Sequence, residues 1–326
     1  MANAVIPGLV STIVPVHNRA ALLRDAVASV LAQTYRPIEV IVIDDGSTDD
    51  TGVAADALAA AHPDSIRVLH RNNAGPGLAR EAGRQVARGE FIQYLDSDDV
   101  LLPRKFEYQV AALRQQRECG VAYGKTNYLV RGSERTLEPW KRTGERIDRM
   151  FPSFLQSRWW GTSTPLYRRN LTDEAGAWLG LTNEEDWEYD CRIAALGVRL
   201  AFVDEFVSEE RDHAGVRLSR GGVTSAAKLA HRATAHSRIL DHALRAGIPL
   251  ESAEMRNFAR ELFLLARQCG AAGLASESKE LFRLAKAAST DERRTGLDFV
   301  FYGMSASVLG WPLTGRLACL SDRLRT

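Results

Sequence analysis

This sequence of 326 residues has few cysteines and no excess of one sign of charge. The four cysteines, Cys119, Cys191, Cys269 and Cys319, are far apart and form no C-x-x-C pair. A disulfide framework or a structural zinc site is therefore not expected, and a reducing cytosol is the expected environment. The 42 Lys and Arg residues balance 41 Asp and Glu residues. Because no net field steers the protein to nucleic acid, we expect no nucleic-acid partner.

Long hydrophobic runs are also lacking. Residues 1–8 have neither the basic nor the apolar region of a secretory signal, so we expect a cytoplasmic protein. The one uncharged apolar stretch, residues 299–315, is interrupted by Gly303, Gly310 and Pro312. It is too short and too polar for a membrane span, but a peripheral contact with the inner face of the membrane stays open.

The first half of the chain alternates apolar, β-rich runs with segments of helical period. The runs are residues 10–16, 38–43, 66–69 and 91–95, and the helical segments are residues 21–32, 50–61, 78–87 and 104–116. Strands and helices that alternate at this length predict an α/β fold, a mostly parallel sheet sandwiched by helices. Ligands of such sheets bind beyond the carboxyl ends of the strands.

Acidic residues stand at these predicted strand ends. Asp44 and Asp45 follow the second strand, and Asp96, Asp98 and Asp99 follow the fourth. For Asp44 and Asp45 alone, turn chemistry is an equally good explanation, because Asp-Gly-Ser is a good turn. The D-x-D motif directly after a buried strand is an oxygen-rich site that suits Mg²⁺ or Mn²⁺. Together the two clusters predict a metal-assisted site for a nucleotide diphosphate.

The second half divides into a mixed and an all-helical part. Residues 121–130 and 163–167 resemble strands, and residues 184–196 a helix. Beyond them lie candidate helices at residues 225–246, 252–270, 274–288 and 297–309. We therefore predict a catalytic domain over 1–220, with nucleotide-sugar binding in 9–130 and the acceptor side in 131–220, and a helical C-terminal region over 221–326.

Six motifs in order resemble the family 2 glycosyltransferases. They are PVHN at 15–18, SVLAQT at 29–34, EVIVIDDGSTD at 39–49, NAGPGLAR at 73–80, LDSDD at 95–99 and EDWE at 185–188. The resemblance covers about residues 9–220 and implies a GT-A fold, a nucleotide-sugar donor and transfer with inversion at the anomeric carbon. It departs from the family at Glu81, where Asn is common.

The resemblance also implies roles for single residues. Pro15 and Asp45 would line the base pocket, Asp96 would hold the ribose, and Asp98 would bind a divalent metal, Mg²⁺ or Mn²⁺. Asp186 would be the general base. The remaining motif positions implied are Asn18, Asn73, Gly75 and Arg80 on the donor side and His213 as a further metal ligand.

The acceptor side is less defined. Trp159 and Trp160 could stack on a sugar, with an aromatic core cluster as an equally good alternative. Glu185 is a further acceptor-side candidate. On the same helical segment, Glu184, Glu188 and Asp190 are expected to form a solvated or capping face, because charged first turns are common.

Basic residues predominate between positions 217 and 245. They are Arg217, Arg220, Lys228, Arg232, Arg238 and Arg245. A solvated helix face is the first interpretation. The alternative is a patch for anionic head groups or a lipid-diphosphate acceptor.

Two functions follow from these patterns. The first is a metal-dependent, inverting glycosyltransferase that moves a sugar from a nucleotide-diphosphate donor, a UDP-sugar ranking first, to a saccharide or lipid-linked hydroxyl in cell-surface polysaccharide or glycolipid biosynthesis. The second is an inactive nucleotide-binding scaffold that recruits partners through its C-terminal helices. Because Asp45, Asp96, Asp98 and Asp186 are all present, the sequence favours the enzyme.

Overall fold

The structure, a computed structural model, describes residues 4–130, 138–212 and 225–323. The predicted metal ligand His213 and the basic residues Arg217 and Arg220 lie outside these ranges. The chain divides into two compact units, each discontinuous in sequence.

The first unit contains the described residues of Met1–Arg149, Trp159–Leu181 and Gly197–Gly215. Its described part holds an eight-stranded sheet of order β3-β2-β1-β4-β7-β6-β8-β5. The strands are β1 Ile6–Val16, β2 Ile38–Asp45, β3 Ile66–Arg71, β4 Gly89–Tyr94, β5 Val100–Leu101, β6 Cys119–Leu129, β7 Leu166–Arg168 and β8 Arg199–Arg211. The β3-β2-β1-β4 block and the β6–β8 pair are parallel, whereas β7 and β5 pair antiparallel with their neighbours.

Helices α1, α2 and α3 connect the strands of the parallel block, as the alternating pattern predicts. The helices of this unit are α1 Ala20–Leu31, α2 Thr51–Ala61, α3 Pro76–Val86, α4 Lys105–Gln115 and α5 Arg169–Ala175. The core contains Val14, Val27, Val42, Phe91 and Phe106, which are at most 1% exposed, so the sheet is buried by α1 and α4 as well as by its own side chains. The mostly parallel sheet with flanking helices is confirmed.

Three strands differ from the prediction. Strand β7 is the shorter segment Leu166–Arg168, and neither β5, Val100–Leu101, nor β8, Arg199–Arg211, was predicted. The acidic residues of β8 interrupt any apolar run, and its pairing with β6, some 80 positions earlier, is not visible in local sequence.

The second unit contains the described residues of Met150–Arg158, Thr182–Leu196 and Val216–Thr326. Its helices are a 3₁₀ turn Ser153–Leu155, α6 Glu185–Ala194, α7 Ala226–Arg245, α8 Ala253–Ala271, α9 Ala275–Ala287, α10 Asp291–Arg294, α11 Leu297–Leu309 and α12 Trp311–Arg323. Ser225 and Ser252 cap α7 and α8 by accepting hydrogen bonds from the backbone N–H groups of Lys228 and Met255. The helical character beyond residue 225 is confirmed, and the domain boundary near Arg220 stays a prediction.

Across the described ranges, the helices are either too short or too polar to cross a lipid bilayer.

Candidate active site

The carboxyl ends of the four parallel strands β3, β2, β1 and β4 meet at one edge of the first unit's sheet. Val16 at the end of β1 is in register with Asp44 of β2, and Asp45 is in register with Arg71 at the end of β3. Asp96 and Asp98 follow β4, which is the other neighbour of β1. The sheet therefore brings the two acidic clusters to the same edge, as the sequence predicts.

Asp45 is held by the loop that follows β3. Its carboxylate accepts hydrogen bonds from the backbone N–H groups of Ala74, at 3.1 Å, and Gly75, at 2.8 Å. The Nε atom of Arg71 lies 3.2 Å from the same carboxylate. Asp45 is 4% exposed, so these contacts compensate the burial of its charge. Gly75, predicted on the donor side, thus binds Asp45 through its backbone.

Asn18 joins the loops after β1 and β2. Its backbone N–H donates to Ser47 Oγ at 3.0 Å, and its side-chain oxygen accepts from the Thr48 N–H at 2.8 Å. His17, for which we predict no role, has its Nδ1 atom 3.0 Å from the Asp45 carbonyl oxygen, and its Nε2 atom lies 3.3 Å from Asn73 Nδ2. The predicted donor-side residues Asn18 and Asn73 therefore belong to one hydrogen-bonded loop system.

Both carboxylates of the D-x-D motif pair with arginines. Asp96 Oδ1 lies 2.7 Å from Nη2 of Arg80, a side chain that is only 4% exposed and stacks over Trp178. Asp98 Oδ2 lies 3.0 Å from Nη1 of Arg19. The two arginines therefore offset the repulsion between the neighbouring carboxylates. Arg19 lies at the same edge of the sheet, and its ion pair with Asp98 is what identifies it as a residue of the candidate site.

Asp99, the last carboxylate of the cluster, is buried and structural. It accepts a hydrogen bond from Ser163 Oγ at 2.8 Å. Burial, followed by the neighbouring carboxylates of Glu210, Asp98 and Asp96, raises its pKa well above the usual value. The charged form of Asp99 is therefore disfavoured in this cluster.

The carboxylate of Asp44 is held by Ser47 of the loop after β2 and by His70 of β3. Its Oδ2 atom lies 2.9 Å from His70 Nδ1, and His70 Nε2 lies 2.9 Å from Asp56 of α2. Burial would raise the pKa of Asp44, but the hydrogen bonds from Ser47 and His70 outweigh it and lower the pKa. Asp44 therefore ties β2 to β3 and α2, as a structural residue.

The departure from the family pattern at Glu81 has a structural role. Glu81 is 7% exposed and accepts hydrogen bonds from Arg84 at 2.8 Å and from the Trp178 backbone N–H at 3.2 Å. Because Trp178 stacks against Arg80, Glu81 supports the side chain that holds Asp96.

Pro15 and the two tryptophans are buried in the first unit. Pro15 lies in β1 opposite Ile43. Trp160 packs against Tyr123 with ring centroids 5.1 Å apart, and Arg142 stacks over Trp159 at 3.7 Å. The tryptophans are 2% exposed or less, so neither presents a ring face to a sugar. The structure supports the alternative of an aromatic core cluster.

Asp186, the predicted general base, lies in the first turn of α6 in the second unit. Its Oδ2 atom is 2.5 Å from Nη1 of Arg158, and Arg158 Nε lies 2.7 Å from Asp190. The Asp186 side chain is 29% exposed, whereas that of Asp190 is 1% exposed. Arg158 therefore bridges a buried and an accessible carboxylate, a pairing that local sequence does not reveal. Glu185 is 6% exposed.

The predicted solvated or capping face on α6 is wrong for Glu188 and Asp190, which are 1% exposed, whereas Glu184 is the N-cap residue but makes no side-chain capping hydrogen bond. Glu188 is 1% exposed and binds Arg192 and, at 2.9 Å, His242 of α7. Glu184 binds Arg232 at 2.7 Å and His236 at 3.0 Å. For both glutamates, burial opposes ionisation, but these basic partners lower the pKa overall. The run anchors α6 to α7 because α7 supplies the opposite charges.

Because some of its members have partners, the predicted basic patch on α7 has fewer exposed basic side chains than the sequence suggests. Arg232 is committed to Glu184, and Arg245 Nη2 lies 3.3 Å from His242 Nδ1. Only Arg238 and Arg245 are exposed among the four basic candidates on this helix.

In the ranges that the structure describes, no group of three or more His, Cys, Asp or Glu side chains is arranged to hold a metal ion.

A cavity of about 460 Å³ opens beside the loop after β3. It is lined by residues 69–74 and Ala82, including His70, Arg71 and Asn73. Its volume falls within the range of small-molecule sites, and it adjoins the loop that holds Asp45.

Comparison with solved structures identifies the fold of this chain. The chain aligns with residues 1–349 of S. aureus TarS in complex with UDP-GlcNAc, with a TM-score of 0.71, over 97% of this chain and 92% of that chain at 19% identity. It also aligns with the mannosyltransferase PcManGT of Pyrobaculum calidifontis, in complex with GDP-Man and Mn²⁺, with a TM-score of 0.51, over 96% and 87% of the two chains at 17% identity. The fold is the GT-A fold with a helical C-terminal region.

Sequence comparison gives the family. Residues 11–171 match the model of glycosyl transferase family 2, so the chain carries a domain of this family. An uncharacterized glycosyltransferase of Rickettsia prowazekii is 39% identical over 115 residues, 35% of each chain. Glycosyltransferase GlyG of Streptococcus pneumoniae is 39% identical over 119 residues, 36% of this chain and 38% of the relative. The matched segments thus span little more than a third of these curated relatives.

Proposed function

We propose that this protein is an inverting glycosyltransferase that moves a sugar from a nucleotide-diphosphate donor to a hydroxyl acceptor. The observation that carries the proposal is the convergence of Asp45, Asp96 and Asp98 at one edge of the sheet in a family 2 domain. An arrangement of carboxylates at a strand-end crevice suits a nucleotide whose diphosphate is neutralised by a cation.

On the donor side, the loop contacts orient each carboxylate before the donor arrives. The N–H groups of Ala74 and Gly75 fix Asp45, which would accept a hydrogen bond from the base. Arg80 fixes Asp96, which would hold the ribose hydroxyls. Prior orientation reduces the entropy lost on binding.

A divalent cation fits this donor set. Mg²⁺ and Mn²⁺ bind through one or two carboxylates and complete their coordination with water and substrate phosphate oxygens, so a three-residue protein cage is not required. Asp98 would be the main ligand after exchanging its pair with Arg19, with His213 as a second candidate. When bound, the ion would act as a Lewis acid that stabilises charge on the departing diphosphate. Arg19 would then be released toward the phosphates.

On the acceptor side, Asp186 would take the proton of the acceptor hydroxyl. The hydroxyl oxygen then bonds to the anomeric carbon while the bond from that carbon to the donor diphosphate breaks, and this single displacement inverts the configuration. Arg158 holds one oxygen of Asp186 and the Trp187 backbone N–H donates to the other at 2.8 Å, which fixes the plane of the carboxylate.

The ligands of the two similar solved structures support the choice of substrate class. TarS was crystallised with UDP-GlcNAc and PcManGT with GDP-Man and Mn²⁺. We take a UDP-sugar as the first donor to test, and a saccharide or lipid-linked acceptor in a cytosol-facing step of polysaccharide or glycolipid synthesis.

The donor side is tested by thermal shift against a panel of nucleotide sugars, with and without Mn²⁺. One donor should raise the Tm, more so with Mn²⁺, and Asp98→Asn should remove the Mn²⁺-dependent part. Asp173→Asn is the matched control, since Asp173 is also an arginine-paired aspartate of the first unit. No stabilisation by any donor would contradict the proposal.

The transfer step is tested with the donor so identified. Asp186→Asn should preserve donor affinity and lower the transfer rate by roughly 10²–10⁴-fold, the usual contribution of a general base. Asp322→Asn, which removes another arginine-paired carboxylate of the second unit, should leave transfer unchanged. Donor binding without transfer in the wild type would favour the inactive scaffold instead.

A further inference from the structure

The two last helices of the second unit expose an unusual amount of apolar surface. Nine of the sixteen large hydrophobic side chains that are exposed in the described residues lie on α11 and α12. On α11 they are Leu297, Val300, Phe301, Met304, Val308 and Leu309, and on α12 they are Leu313, Leu317 and Leu320. Contiguous patches of this kind mark interaction sites, whereas single exposed residues do not.

Each set forms one face of its helix. Spacings of three and four residues from Leu297 to Val308, and from Leu313 to Leu320, place the side chains along one stripe. The opposite faces are occupied: Phe299 and Tyr302 of α11 pack on Phe263 with centroids 4.7 and 5.2 Å away. Helix α11 therefore packs on the rest of the unit through its other face, and the exposed stripe is not part of that core.

The buried side of α12 is fixed just as firmly. A Cβ at Gly315 would lie 2.5 Å from the Ala271 backbone nitrogen of α8, so the two helix backbones are in close contact. Asp322 pairs with Arg267 of α8 at 2.9 Å. Rotation of α12 to bury its leucines would break both contacts.

Among the described residues, three cations on α9 and α12 are left without a carboxylate partner. In the part of the chain that the structure describes, no carboxylate pairs with Lys279, Lys286 or Arg316. In contrast, Asp298 is neutralised by Arg293 and Glu280 by Arg283. Arg316 is exposed on the same face of α12 as Leu313 and Leu317.

A cavity of about 460 Å³ joins these cations to the apolar helices. It lies between α9, α11 and α12, and its walls include Lys279, Lys286, Phe282, Gly303 and Trp311. Cations beside aromatic rings match the region where lipid head groups meet acyl chains, in which tryptophan is enriched. Glu280 also lines the cavity but is neutralised by Arg283, so the two lysines leave the cavity positive.

We propose that α11 and α12 form a docking surface for the interfacial layer of an anionic lipid membrane. Each helix has 13 residues and is about 20 Å long, too short for a hydrocarbon core of about 30 Å, so the helices would lie in the interface. A second copy of the chain fits less well, because a two-fold contact would bring the same unpaired cations toward each other. The proposal is independent of glycosyl transfer.

Flotation of the full chain with vesicles tests the surface. We expect the wild type to bind vesicles of phosphatidylcholine mixed equally with phosphatidylglycerol. The double variant Phe301→Asp with Val308→Asp should lower the partition coefficient by roughly tenfold or more, because two apolar side chains no longer enter the interface. Val53→Asp is the matched control: Val53 is 71% exposed on α2, and its replacement should leave binding unchanged.

The charge contribution is tested separately. Arg316→Ala should weaken binding to the mixed vesicles by about fivefold, the usual effect of one basic residue near an anionic surface, and the loss should vanish in phosphatidylcholine alone. Circular dichroism checks that each variant is folded. Absence of wild-type binding, or equal binding by the double variant, would overturn the proposal. So would a wild-type dimer in light scattering that the double variant dissociates without any change in vesicle binding, since the surface would then join two copies.

Discussion

The carboxylate of Glu188 offers the sharpest test of how α6 is held. We consider the variant Glu188→Gln, which keeps the shape of the side chain and removes its charge. Glu188 is 1% exposed, and its partners Arg192 and His242 have side chains only 16% and 7% exposed. Neither side chain can recover full hydration in place, so the variant, which keeps one of the two acceptor oxygens, leaves a buried donor without its charged acceptor.

The expected loss follows from this burial. Removing one member of a buried ion pair costs about 3–5 kcal/mol, and because glutamine retains one acceptor oxygen we expect a loss near the lower limit, about 3 kcal/mol. The matched control is Glu280→Gln. Glu280 and Arg283 also form an ion pair within one helix, but their side chains are 51% and 63% exposed, so the cost there should stay below about 1 kcal/mol.

Urea unfolding followed by tryptophan fluorescence measures both free energies, since Trp187 lies beside Glu188 on the same helix. The direction in which the stabilisation by Glu188 changes with pH also follows from the structure. His242 and Arg192 lower the pKa of Glu188 despite burial, so its contribution is present above the ordinary value of 4.5 and is lost as the pH falls through the folded-state pKa. A loss at neutral pH no larger than that of Glu280→Gln would refute the reasoning.

Two further predictions concern the strand ends of the first unit. Hydrogen bonds to Asp44 and Asp56 raise the pKa of His70, so its contribution to stability is present below about pH 6.5 and is lost as the pH rises through the folded-state pKa; the Tm difference between the wild type and His70→Gln should close over that rise. Gly46→Ala should cost about 1–2 kcal/mol more than Gly176→Ala in urea unfolding, because both glycines have positive φ but only at Gly46 would the Cβ meet a backbone nitrogen, at 2.6 Å. A His70 difference that widens with pH, or equal costs for the two alanine variants, would contradict the respective argument.

The sequence alone determined the parallel block and its functional edge. The apolar runs at residues 10–16, 38–43 and 91–95 are predicted to be strands because β-rich segments of this length alternate with helical periods, and the structure places β1, β2 and β4 there. Parallel strands connected by helices have their carboxyl ends on one side, so the position of Asp96 and Asp98 at the same edge as Asp45 followed without any coordinates.

Only the tertiary structure decided which charges are neutralised and by what. Arg19 on Asp98 and Arg158 on Asp186 are pairs between distant segments, and neither partner has a local pattern that marks it. The same holds for Glu188: a charged first turn predicts a solvated face, yet α7 supplies a histidine 54 positions later that makes burial tolerable. Local periodicity reports which residues avoid water, whereas the burial of a charge depends on a partner that the fold brings from elsewhere in the chain.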